Sequence, residues 1–219
     1  MHFTLEEVNM PCASVGDLDL YFEDVGEGYP VVLCHGGFSD VSEWDPQVDA
    51  LSKKYRVIRY DRRGCGRSLP KEVEQLAELW VQDLRALIKY LALEQVVIGG
   101  VSYGGMLLLE YLLEHQQSCK AAVIVSSTAR GRVKTGPRSM YFPNRLSDVS
   151  DIKVPTLVVQ ATGDNIFPVE HGEEMVARMP LSELVVLEGG HTINNQNPLE
   201  FNRVLLEFLG KVVESNFVV

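Results

Sequence analysis

Six short apolar runs rich in β-branched residues, at 31–34, 56–60, 96–99, 121–125, 156–160 and 184–187, recur along the chain. Continuous apolar runs of this length fit strands buried on both faces of a parallel sheet. The segments between them change period. In 73–91 the residues Leu76, Leu79, Trp80, Leu84, Leu87, Ile88 and Leu91 repeat at three and four residues, the spacing of an amphipathic helix. Residues 104–115 and 198–209 read as further helices, the latter with Asn197 as N-cap and Pro198 at the first helical position. Residues 12–23 alternate and break at Gly16-Asp17, as an antiparallel hairpin does. The expected fold class is therefore α/β: a mostly parallel central sheet with an antiparallel N-terminal edge and helices on both faces. With 219 residues, 46% of them hydrophobic, the chain suits one core, and 1–219 reads as a single domain.

Composition removes several classes of function. Thirty acidic residues against 20 basic ones leave a formal charge of −10, the wrong sign for a nucleic-acid or anionic-membrane footprint. No apolar run approaches the roughly 20 residues of a spanning helix. The opening residues Met1 to Glu7 carry acids where a secretory signal would be basic and apolar, so a cytoplasmic location is expected. Cys12, Cys34, Cys65 and Cys119 are scattered, with no CxxC pair and no clustered histidines. They read as buried thiols, with no metal and no cofactor expected. The sequence assigns no oligomeric state.

In a parallel α/β sheet, ligands sit beyond the carboxyl ends of the strands. The run 96–99 leads into Gly100-Val101-Ser102-Tyr103-Gly104 and directly into a helix. This is G-x-S-x-G in a strand-turn-helix context, where small neighbours permit a sharp turn that projects the serine hydroxyl. Without partners, Ser102 would be an ordinary turn serine; a nucleophilic hydroxyl needs a base, and the base an orienting acid. Of the five histidines, His191 follows the last strand and lies on the same edge as Ser102. His115 and His171 are expected to face solvent, His2 belongs to the terminus, and His35 is followed by Gly36-Gly37 and reads as serving the backbone. Asp164 ends the penultimate strand, whereas Asp148 and Asp151 precede it and so lie on the wrong edge. After the run 31–34 comes His35-Gly36-Gly37-Phe38, whose glycines let backbone N–H groups approach a ligand and, with the N–H of Tyr103, form an oxyanion hole. The stretch 129–147 has five basic residues, no acidic one and two prolines, and reads as a long, mobile surface connection with few apolar anchors.

In this order, HGGF at His35 to Phe38, YDRRGCGRS at Tyr60 to Ser68, GVSYGG at Gly100 to Gly105, the segment Asp164 to Pro168 and GGH at Gly189 to His191, the chain resembles the α/β-hydrolase superfamily over nearly its whole length. The resemblance implies Ser102 as nucleophile, His191 as general base and acid, and Asp164 as the residue that orients the imidazolium. It implies Gly37 and Tyr103 as oxyanion-hole donors, with Phe38 an alternative donor or a substrate contact, and a bracing role for Asp61, Arg62, Gly64 and Gly66. The connection at 129–150 stands where members of this kind usually insert a helical cap. The activity implied is hydrolysis of a small-molecule carboxylic ester through an acyl-enzyme. Proline-iminopeptidase-like, perhydrolase or haloperoxidase-like, lactonase and carbon–carbon hydrolase reactions use similar machinery, and some members are slow-turnover receptors. Haloalkane dehalogenases and epoxide hydrolases are disfavoured because they place aspartate where Ser102 stands.

Overall fold

The computed structural model describes residues 11–71, 76–132 and 141–214. Eight strands form one sheet: β1 (Cys12–Val15), β2 (Leu18–Val25), β3 (Tyr29–Cys34), β4 (Tyr55–Tyr60), β5 (Val96–Val101), β6 (Cys119–Val125), β7 (Thr156–Ala161) and β8 (Ser182–Leu187). Their order is β1-β2-β4-β3-β5-β6-β7-β8. β1 and β2 pair with their neighbours antiparallel, and every pairing from β4 to β8 is parallel. All six apolar runs are strands, and the 12–23 segment is the expected hairpin.

The period of two explains why these runs are apolar throughout. Val31 and Leu33 point into one core with Val97, Val123, Leu157 and Val159, while Val32 and Cys34 point into the other with Ile98, Ile124 and Val158. Helices α2 (Ala77–Tyr90), α3 (Tyr103–His115) and α4 (Val169–Val176) cover the second face; α1 (Asp45–Leu51) and α6 (Pro198–Leu209) cover the first. A single turn, α5 (Ile193–Gln196), precedes α6. Three of these helices, α1, α4 and α5, span eight residues or fewer and are too short for periodicity to reveal.

Two expectations at helix ends need correction. Leu76, read as part of the α2 stripe, is extended at φ −115° and ψ 143° just before the helix, and residues 72–75 lie outside the described residues. Asn197 does not cap α6 with its side chain: its amide donates to the Glu188 carbonyl at 3.3 Å, and only its carbonyl joins the first helical turn, through Phe201 N–H.

The connection between β6 and β7 is better anchored than its composition suggests. Ala129 and Phe142 are buried, Phe142 against the rings of Trp80 and Tyr103. Arg132 and Phe142 exchange two backbone hydrogen bonds, and Arg145 makes a bidentate pair with Glu110. Among the described residues of the connection, buried Ala129 and Phe142 and two ion-paired arginines, Arg145 and Arg130 on Glu174, replace the missing period. Residues 133–140 of the connection lie outside the described residues. All four cysteines are free, but only Cys34 and Cys119 are buried as expected, Cys12 and Cys65 being half-buried. Burial pushes the thiols of Cys34 and Cys119 up to about 11 and about 12, which keeps them protonated and unreactive. Among the described residues no helix is long and apolar enough to cross a membrane.

Candidate active site

The loops leaving the carboxyl ends of β3, β5, β7 and β8 converge on Ser102. It follows β5 at φ 52° and ψ −113°, a positive φ that side chains rarely adopt. The turn is held by Ser102 N–H donating to Val125 O at 2.9 Å, by Met106 N–H donating to Ser102 O at 3.1 Å, and by the Ser127 hydroxyl donating to Ser102 O at 2.7 Å. The two flanking glycines are a steric necessity. A Cβ on Gly100 would lie 2.5 Å from the Gly104 carbonyl carbon, and one on Gly104 would lie 2.5 Å from Cys34 O. The motif thus encodes the close passage of the turn over α3 and β3.

The Ser102 hydroxyl lies 3.0 Å from His191 Nε2, and His191 Nδ1 lies 2.8 Å from Asp164 Oδ2. Asp164 is buried, and its other oxygen accepts from the N–H groups of Ile166 at 2.8 Å and Phe167 at 3.0 Å. Those two bonds commit Oδ1 to the backbone and leave Oδ2 for the imidazole. Since Oδ2 can only accept, His191 carries its proton on Nδ1 and offers the Nε2 lone pair to Ser102. The Phe167 ring packs against His191 at 5.6 Å. β7 and β8 are neighbours, but β6 and β7 separate β8 from the serine strand, so the His191 loop reaches back across two strands. α5 anchors that reach: Asn194 and Asn195 both donate to the Glu43 carbonyl at 2.8 Å.

Gly37 and Tyr103 lie side by side, with a Cβ on Gly37 only 2.8 Å from the Tyr103 ring. Tyr103 opens α3, where main-chain N–H groups have no partner inside the helix. Phe38 has φ 61° and is 74% exposed, at the rim of this loop. His35 does serve the backbone, as expected: its Nε2 accepts from Arg62 N–H at 3.0 Å, so Nδ1 carries the proton and donates to Gly36 O at 2.8 Å. Asp61 braces the loops, accepting from the N–H groups of Val41 at 2.7 Å and Arg67 at 2.6 Å. Arg63 ties the same segment to α2 through a bidentate pair with Asp83. His171 and His115 depart from expectation: neither faces solvent freely, since His171 packs on Phe167 with Nδ1 buried and His115 packs on Tyr111.

Of two charged groups beside the site, Glu43 carries no signal in the sequence, and Arg62 has only the bracing role that the resemblance implies. Glu43, seven residues beyond Gly36, accepts from Gly36 N–H, and burial pushes its carboxyl above the usual range. Arg62 is buried and donates to Gly36 O.

His35 gives a testable dependence of stability on pH. Burial and the Arg62 charge hold its pKa well below the ordinary 6.5. As pH falls below about 6.5 the unfolded chain takes up a proton that the native imidazole refuses, so stability drops by up to about 1.4 kcal/mol per pH unit. Urea denaturation at pH 6.5 and 5.5 should show a loss of roughly 1 kcal/mol that His35→Asn, which cannot titrate, largely lacks. Equal losses in both proteins would place the acid sensitivity elsewhere.

A family model for the alpha/beta hydrolase fold matches residues 29–149, and one for TAP-like proteins matches residues 113–208. The chain belongs to the α/β-hydrolase family. Among curated proteins it is 24% identical to one of Azorhizobium caulinodans provisionally named the carbamate hydrolase RutD, over 93% of this chain and 99% of that protein. It is 36% identical to the proline iminopeptidase of Lactobacillus helveticus over 50% of this chain and 40% of the peptidase. In architecture this α/β-hydrolase is similar to the enol-lactonase of Burkholderia xenovorans, with a TM-score of 0.83 at 22% identity, covering 91% of this chain and 99% of the lactonase. It is equally similar to a thermophilic esterase of Thermogutta terrifontis, with a TM-score of 0.83 at 24% identity, covering 93% and 97% of the two chains. At such identities the structures speak for the fold alone.

Proposed function

We propose that this α/β-hydrolase is a serine hydrolase that cleaves carboxylic esters through an acyl-enzyme on Ser102. The observation that carries the reading is the continuous hydrogen-bonded chain from the strained Ser102 through His191 to Asp164. Ser102 Oγ attacks the ester carbonyl while its proton passes to His191 Nε2, and the negative oxygen is received by the N–H groups of Gly37 and Tyr103. Collapse of the tetrahedral intermediate breaks the ester C–O bond, and His191 returns the proton to the departing alcohol. Water then repeats the sequence on the acyl-enzyme, releasing the acid and restoring Ser102. Asp164 holds the imidazole in the tautomer that both half-reactions need.

A fluorophosphonate probe tests the reading directly. Labelling should be rapid and confined to the peptide containing Ser102, and absence of labelling on the folded protein would overturn the assignment. Relatives named for lactone and iminopeptide substrates make the leaving group the open variable. A panel of nitrophenyl esters, lactones and amino-acid amides resolves it, with the short nitrophenyl esters expected to be turned over fastest.

The short connection sets a second expectation. Between β6 and β7 the described residues form only one 3₁₀ turn, Val149–Asp151, while Phe38 and Ile166 on the site loops are 74% and 51% exposed. We infer an open mouth, which supplies little remote binding energy and excludes water poorly. KM values should lie nearer ~1 mM than ~1 μM, with weak discrimination among alcohols. Steady-state kinetics on esters of one acid with a series of alcohols checks this; a micromolar KM with sharp preference for one ester is the contrary result.

A further inference from the structure

We infer that Arg62 is a positioning residue of the oxyanion hole, its guanidinium fixing and polarising the amide that joins Gly36 to Gly37. The inference rests on the serine-hydrolase reading above. Arg62 is 2% exposed, sits 3.8 Å over the Trp80 ring, and forms no ion pair with any carboxylate among the described residues. Its Nε and Nη1 are enclosed without hydrogen-bond partners, and Nη2 donates to Gly36 O. A buried cation without a paired anion is strongly disfavoured, and guanidinium does not escape by losing its proton. Such a group calls for a compensating role. The enclosed nitrogens cannot reach a substrate, and His35 Nδ1, 3.3 Å from Nη2, carries a proton and cannot accept, so the charge acts through the Gly36 carbonyl.

That acceptor is the carbonyl of the amide whose N–H belongs to Gly37. His35 Nδ1–H donates to the same carbonyl at 2.8 Å, so two side chains pin it. The cis peptide bond among the described residues is Leu69-Pro70; the Gly36-Gly37 bond is trans, and its N–H points opposite to its C=O. Pinning the carbonyl on Arg62 therefore aims the Gly37 N–H away from Arg62. The loop lies against the nucleophile turn, with a Cβ on Gly36 3.4 Å from Ser102 Cβ. On the other side Glu43 accepts the Gly36 N–H, so opposite charges hold Gly36 from both ends. A cation on an amide oxygen draws electron density from the N–H and strengthens the hydrogen bond it gives. That gain is realised when the substrate oxygen becomes negative, so it should appear in kcat rather than KM.

The test uses Arg62→Met, which keeps a long apolar side chain without the charge, Arg62→Gln, which keeps a neutral donor, and Arg62→Lys, which keeps the charge. For each folded variant, kcat and KM for p-nitrophenyl butyrate are measured, with inhibition by a trifluoromethyl ketone, which forms an oxyanion adduct on Ser102, and by the matching methyl ketone, which does not. Arg62→Met should lose about 10- to 100-fold in kcat, below the loss expected for deleting a donor outright. KM and methyl-ketone affinity should stay within about twofold, while trifluoromethyl-ketone affinity falls in step with kcat. Arg62→Lys should exceed Arg62→Gln in both readouts, and this pair decides the matter if Arg62→Met fails to fold. Equal kcat and ketone affinities for the lysine and glutamine variants, or parallel losses for both ketones, would overturn the inference. Ser102→Ala is the control: turnover surviving in it refutes the hydrolase reading itself, whereas an inert Ser102→Ala beside an unaffected Arg62 series refutes only the role given to Arg62.

Discussion

Ser102→Ala should lower kcat/KM for ester hydrolysis by about 10⁵- to 10⁶-fold, and His191→Ala by a similar factor, with both proteins expected to stay folded. The size follows from the chemistry. Without Oγ there is no covalent intermediate, and without Nε2 nothing accepts the hydroxyl proton as the C–O bond forms. What remains is binding and the backbone oxyanion donors, which alone give a small residual acceleration over water. The fold survives because the turn is held by main-chain bonds to Val125 and Met106 and by the Ser127 hydroxyl on Ser102 O, none of which uses Oγ. Because the two residues act as one unit, the double variant should be no slower than either single one. Initial-rate assays with activity-free purification controls measure this, and near wild-type turnover in Ser102→Ala would remove the nucleophile from the scheme.

The parts of this site that could be read from the sequence are those fixed by backbone geometry. G-x-S-x-G is legible because a Cβ at Gly100 or Gly104 would collide with backbone, and the order of strands and loops is legible because runs buried on both faces cannot alternate. What was not legible is set by contacts across the sheet edge. Arg62 and Arg63 are adjacent and identical in type, yet Arg63 meets Asp83 on α2 while Arg62 turns under the Gly36 carbonyl. Glu43 looks like any surface acid of a short turn until the loop after β3 folds over it. The connection at 129–147 reads as unanchored because the apolar residues that pack among its described residues, Ala129, Phe142 and Leu146, are too widely spaced to leave a period.

Asp164→Asn tests the orienting acid, and kcat should fall about 10⁴-fold with little change in stability or KM. The hydrogen bonds dictate the reason. The Ile166 and Phe167 N–H groups require an acceptor at Oδ1, so an asparagine must keep its carbonyl oxygen there and turn its NH₂ toward His191 Nδ1. An NH₂ only donates, so Nδ1 must accept and the imidazole proton moves to Nε2. Nε2–H then faces the Ser102 hydroxyl at 3.0 Å as a donor and cannot take its proton. The flipped amide offers no escape, since it would set NH₂ against two N–H groups in a buried position. Fluorophosphonate labelling of Ser102 should slow by the same factor, because it depends on the same proton transfer. Asp148→Asn and Asp151→Asn provide the contrast: both precede β7, at the opposite end of the strand, and Asp148 is engaged with Arg145 at 3.0 Å. Their kcat should stay within about twofold of the parent. Normal turnover in Asp164→Asn together with inactivation at Asp148 or Asp151 would mean that a different carboxylate holds the imidazole during reaction.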